Sequence, residues 1–118
     1  MSTSLQEPTF LILTALAGGP MHGYGVIQEV ASLSGGRVVL RPGTLYGALD
    51  RLTEQGLVVA DREEVVDGRL RRYYRLTDTG AATLTQEAQR LAANAAEAHR
   101  RLAQRSPARP GRRPAFGR

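Results

Sequence analysis

"RPGTLYGALDRLTEQGLV", Arg41 to Val58, sets a proline and a glycine in front of three turns that contain no helix breaker. Pro42 suits the first helical position, where its missing N–H is not needed and its fixed φ is already helical. Leu45, Leu49 and Leu52 fall at i, i+4 and i+7, one buried stripe, while Thr44, Gly47, Asp50, Arg51 and Glu54 face elsewhere. Gly56 ends the helix. So stiff a start, with Thr44 and Tyr46 beside it rather than aliphatics, asks for a reason beyond helix stability.

Upstream, Pro8 followed by "TFLILTALAG" reads as a first helix, with Phe10, Leu13, Leu16 and Ala17 on one stripe and Gly18-Gly19 as its stop. A second helix runs from Gly23 to about Leu33, with Val26, Ile27, Val30 and Leu33 at helical spacing. "RVVL", Arg37 to Leu40, reads as a single-stranded ledge before the quoted helix. Downstream the period changes to two. Leu57 and Val59 share one face, Asp67-Gly68 is a hairpin turn signal, and Leu70, Arg72, Tyr74 and Leu76 alternate against Arg71, Tyr73 and Arg75. A lone two-stranded hairpin is marginal in water, so its inner face, Tyr74 included, is expected to pack on the helices.

Thr77 is a candidate N-cap for a long helix from Asp78 to Arg105, which contains no proline and only Gly80 near its start. Its positions Ala81, Leu84, Ala88, Leu91, Ala95, Ala98 and Leu102 are spaced 3, 4, 3, 4, 3, 4, a heptad seam. At ~1.5 Å per residue the helix is about 42 Å long, more than a domain of this size can cover, so a second chain is expected along it. Pro107 and Pro110 end helical structure, and residues 106–118 are expected to be a disordered basic tail.

The chain has 118 residues, enough for one domain with an extension, and only two Phe and four Tyr, without Trp. Its lack of cysteine excludes disulfides, thiolate zinc sites and a cysteine nucleophile. The apolar run from Phe10 to Ala17 is far short of the ~20 residues of a membrane span and follows no basic leader, so a cytoplasmic location is expected. Net charge is +5, and all 16 basic residues are arginine. Four of these, Arg109, Arg112, Arg113 and Arg118, lie in the tail, leaving 12 arginines against 11 acids before it. The case for nucleic acid therefore rests on local arrangement rather than net charge. No carboxylate pair, catalytic triad or phosphate-binding glycine loop is set out for catalysis, His22 has no second histidine or acid cluster at metal-ligand spacing, His99 reads as a solvated or seam-edge side chain, and no cofactor is expected.

Helix, helix, helix, hairpin, long helix predicts a mainly α fold with a small β-hairpin: a winged helix-turn-helix over residues 1–76, then a dimerisation helix over 77–105. In that geometry the third helix lies in the DNA major groove with its amino-terminal residues near base edges and phosphates. Pro42 and Gly43 let the backbone approach a phosphate, and Thr44 and Tyr46 are placed to reach DNA. Arg41 and Arg51 are further phosphate candidates. On the wing, Arg69 and Arg71 are set to grip the backbone or follow the minor groove, with Tyr73 beside them. Asp61, Glu63, Glu64 and Asp67 lie on the partner strand and turn, so some of these arginines are open to the alternative of cross-strand ion pairs.

"LTALAGGPMHGYGVIQEV", "RPGTLYGALDRLTEQGLV" and "GRLRRYYRLTDTG" resemble the PadR family of transcriptional regulators, over residues 9 to 80. The resemblance implies a homodimeric DNA-binding protein, usually a repressor, of the shorter subfamily with one C-terminal dimerisation helix. It further implies that the second helix, opened by Met21, His22, Gly23 and Tyr24, abuts the DNA backbone while Thr44 and Tyr46 face the groove. Dimer contacts are expected at Leu84, Ala88, Leu91, Ala95, Ala98 and Leu102. A small-molecule or protein effector is also implied, though the long helix has no Trp, Phe or Tyr on which a planar compound could stack. Two rivals stand beside this reading: a winged-helix module that pairs with a different protein, and a non-specific DNA binder led by the tail.

Overall fold

The computed structural model describes residues 5–105, which form four helices and three strands. In chain order these are α1 (Glu7–Ala17), β1 (Met21–His22), α2 (Gly23–Leu33), α3 (Pro42–Glu54), β2 (Val58–Val66), β3 (Arg69–Leu76) and α4 (Asp78–Gln104). They fall into two compact units, one through Ala88 and one from Gln89 onward. The expected tail, residues 106–118, lies outside the described residues.

The core of the first unit is almost wholly aliphatic. Ile12, Leu13 and Leu16 of α1, Val26 and Val30 of α2, Leu45 and Leu49 of α3 and Val58 of β2 are its largest fully buried side chains. Each such side chain stabilises the fold by about 1.5–3 kcal/mol relative to exposure. The expected α3 stripe is present, and Ala48 joins Leu45, Leu49 and Leu52 beneath it. Tyr74 is buried on the inner face of the hairpin, as its spacing required.

Four local expectations are corrected. On α1 the buried arc is Ile12, Leu13, Ala15 and Leu16 rather than Phe10 and Ala17, because this helix is covered by both α2 and the sheet and so buries i, i+1, i+3 and i+4. On α2, Leu33 is exposed beyond the core edge set by Val30. Arg37–Leu40 is no strand: the Val38 amide donates to Ser34 Oγ, Arg37 reaches back to Glu7 of α1 at 2.6 Å, and Leu40 is buried while Val38 packs partly against the core. Leu57 and Val58, not Leu57 and Val59, are the buried pair at the start of the wing, since Leu57 still belongs to the turn after α3 and the alternation begins only at Val58.

The sheet has three strands in the order β1-β3-β2, both pairings antiparallel. The two-residue β1 pairs Met21 with Tyr74 and His22 with Tyr73. A bulge at Asp61 shifts the β2–β3 register between Ala60↔Tyr74 and Arg62↔Tyr73, which adds twist to the wing. Asp67 and Gly68 close the hairpin with φ of 54° and 76°, the paired left-handed conformation of a tight two-residue turn. The distal wing leaves the core behind, so Leu70, expected on the inner face, is 64% exposed opposite Val65.

Thr77 fastens the wing to α4. Its hydroxyl accepts from the Gly80 amide at 2.9 Å, capping the helix, and donates to the Gly56 carbonyl at 2.6 Å, while its own amide donates to Leu57 O at 3.0 Å. The Leu5 amide donates to the carboxylate of Glu87, a buried side chain of α4. No helix among the described residues is long and apolar enough to cross a membrane.

Candidate nucleic-acid interface

α3 begins without a side-chain cap. Arg41 stands in extended conformation at its N-cap and Pro42 follows, so the amides of Gly43 and Thr44 in the first turn have no side-chain cap. Arg41, Pro42, Gly43 and Thr44 are all exposed. One turn on, Tyr46 leans away from the core stripe toward α2.

The start of α2 is built differently. His22 closes β1 and also caps the helix, its Nδ1 accepting from the Gly25 amide at 3.2 Å. An imidazole that accepts at Nδ1 and is neutral carries its proton on Nε2, which makes that nitrogen a donor. The Arg71 Nη1 lies 3.5 Å from that Nε2, two donors side by side with no acceptor between them. Burial and the Arg71 charge both disfavour protonation of His22 and, opposed by Glu64, hold its pKa below the usual histidine range.

His22, Gly23, Tyr24, Tyr46, Arg69, Leu70 and Arg71 line one groove of about 400 Å³ between the start of α2, the flank of α3 and the wing. Five of these, His22, Tyr24, Tyr46, Arg69 and Arg71, are DNA candidates from the sequence. Tyr24 is 62% exposed. Arg51 does not line the groove: it extends along its own helix past Gly47 and borders a separate hollow with Leu5, Gln6 and Thr9.

The wing sorts its arginines into two groups. Arg72 pairs with Glu63 across the strands at 3.0 Å and Arg75 with Asp61 at 3.2 Å, while Arg62 binds Asp61 and Glu64, each at 3.1 Å. The cross-strand alternative thus holds for Arg72 and Arg75. Arg69 and Arg71 have no carboxylate within ion-pair distance among the described residues. Tyr73 sits inside a stack: the Arg62 guanidinium lies 4.0 Å above its ring and the His22 ring meets it edge-on at 5.4 Å.

Sequence reasoning missed β1, the stacking role of Arg62 and the contact between Gly23 and Tyr46. A two-residue strand has no period to detect.

A helix-turn-helix flanked by a hairpin wing, with two arginines that no described carboxylate holds within ion-pair distance in a groove shared with α2 and α3, is a winged helix-turn-helix. Residues 12–86 match the Transcriptional regulator PadR-like family. The chain belongs to that family. It is 47% identical over 76 residues to the transcriptional regulator Rv3488 of Mycobacterium tuberculosis, covering 64% of this chain and 67% of that one. Among solved structures it resembles the transcriptional regulator TA0346 of Thermoplasma acidophilum (TM-score 0.65, 27% identity, 84% of this chain and 93% of that one). It also shares the fold of Bacillus subtilis PadR in complex with operator DNA (TM-score 0.59, 20% identity, 94% of this chain and 55% of that one). The family is one of transcriptional regulators, not enzymes.

Proposed function

We propose that this PadR-family regulator is a homodimeric repressor that binds a pseudo-palindromic operator. Two copies of α3 enter successive major grooves on one face of the duplex, ~34–36 Å apart or a multiple of it. Thr44 and Tyr46 meet the groove, Arg41, Pro42 and Gly43 the phosphates at the start of α3, His22 and Tyr24 the backbone beside α2, and Arg69 and Arg71 the flank, with Tyr73 holding the wing and Arg51 a peripheral phosphate contact. The observation that carries this reading is the groove itself, in which residues from α2, α3 and the wing converge around two arginines, Arg69 and Arg71, that no described carboxylate holds within ion-pair distance, Glu64 facing Arg71 only from across the strands. The B. subtilis relative, solved on operator DNA, is consistent with it.

The dimer forms along α4. Leu91 and Leu102 are 40% and 57% exposed, and Ala88, Ala95 and Ala98 are exposed beside them, which leaves the seam available to a second copy. Leu84, half-buried against the winged unit, begins it. Residues 1–76 thus act as the DNA-binding module, 77–105 as the dimerisation element and 106–118 as a basic supplement, in a cytoplasmic protein whose repression an effector relieves.

Fluorescence anisotropy on protein ending at residue 105, against the duplex upstream of its own coding region and a shuffled duplex over a range of salt, tests the reading. A preference of ~10³ or more for the first supports a sequence-specific regulator. Equal, weak and steeply salt-dependent binding rejects it in favour of the non-specific alternative.

A further inference from the structure

Gly23 is buried at the first position of α2, directly beneath the ring of Tyr46 from α3. A β-carbon placed there would stand 2.7 Å from Tyr46 Cζ and 3.1 Å from Cε1, and would overlap the phenol oxygen. Gly23 lies in helical conformation and is absent from the left-handed glycines of this chain, so no backbone requirement selects glycine. The space taken by Tyr46 is what excludes a side chain.

We infer that Gly23 is a positioning residue for DNA binding, a seat whose missing side chain lets the Tyr46 ring lie across the first turn of α2 and fixes where that hydroxyl meets DNA. The inference rests on the proposed DNA-binding function and assigns to Gly23 a role in it. Tyr46 is 45% exposed, so its ring is held by this contact on one side and open on the other. Only the far end of a side chain stands in the way of a methyl group at Gly23, and the ring can swing aside without disturbing the backbone. Tyr46 already lines the groove shared with His22, Tyr24, Arg69 and Arg71, so displacing its ring reshapes the space proposed for a DNA strand. The substitution therefore acts on binding rather than folding, and alanine is itself the better helix former.

The test is a cycle of Gly23→Ala, Tyr46→Ala and the double variant in the full chain, each measured for affinity to the upstream duplex and for melting temperature. Gly23→Ala should bind about tenfold more weakly, the size of one lost hydrogen bond to a charged group, with its melting temperature at or above the parent's. On the Tyr46→Ala background the same substitution should cost no further affinity, because the ring it displaces is gone. Should Gly23→Ala lower the melting temperature instead, Tyr46→Ala must restore it for the contact to stand. Parental affinity in Gly23→Ala, or losses that simply add, overturns the seat and leaves the DNA-binding function intact. Failure of the unmodified protein to prefer the upstream duplex overturns that function first and the seat with it.

Discussion

The α-carbon of Gly80 rests against the main chain of Leu57, so close that a β-carbon would lie 2.9 Å from the Leu57 carbonyl carbon and 2.9 Å from Leu76 Cδ1. Unlike the seat beneath Tyr46, this neighbour is backbone, and it is pinned by the Thr77 amide. Gly80→Ala should therefore destabilise the winged unit by roughly 1–3 kcal/mol, net of any gain in helix propensity. Urea unfolding at constant m checks it; unchanged stability would mean that α4 slides freely at this point.

Salt titration separates the wing arginines. Arg69→Ala and Arg71→Ala should each reduce the slope of log K against log salt by about 0.9, one phosphate's worth, and weaken operator and shuffled duplexes alike. Arg72→Ala, whose guanidinium is already held by Glu63, should leave that slope unchanged. Equal effects from all three would show that the ion pairs on the hairpin open when DNA arrives.

Acid should act first through His22. Its folded pKa is depressed, so the unfolded chain takes up the proton more readily. Stability is therefore full above the unfolded value of about 6.5 and falls as pH drops from there through the lower folded value. The carboxylates of Glu7, Glu64 and Glu97, held below the ordinary range mainly by hydrogen bonds from Arg37, Arg62 and Arg100 respectively, contribute only at lower pH. His22→Asn, which can still cap α2, should flatten the melting temperature between pH 6.5 and the carboxylate range, both limits being about the reference values. An unaltered profile would place the acid sensitivity elsewhere.

The α4 seam is tested by charge. Leu91→Glu with Leu102→Glu should convert a dimer to monomer in sedimentation equilibrium and weaken operator binding far more than the binding of an isolated half-site. A parent that sediments as a monomer would refute the dimer.

How much of this was legible beforehand depended on range. The α3 stripe, the Asp67-Gly68 turn and the Thr77 cap are local signals, set within a few residues by period, turn chemistry and capping, and each stands where the sequence placed it. Phe10, Val59 and Leu70 were misassigned because burial depends on what lies opposite: α1 is covered on two sides, the wing starts one residue late, and its tip outruns the core. The candidate site was legible as residue types. Its sorting was not, since Arg71 and Arg72 both face a glutamate across the strands, and only the engagement of Glu64 by Arg62 separates them. Nor could spacing reveal that Tyr46 and Gly23, 23 positions apart in sequence, share one space.

Beyond the Asp61 bulge the hairpin carries no part of the aliphatic core, and its tip pairs only with itself, Val65 with Leu70 and Val66 with Arg69. Its length is thus an adjustable reach. Two residues added to each strand would carry the turn ~6.6 Å further out and keep every side chain on its present face, whereas one added to each would advance it ~3.3 Å and reverse them. Paired insertions of this kind would alter the reach of the hairpin and leave the aliphatic core beneath it as it is.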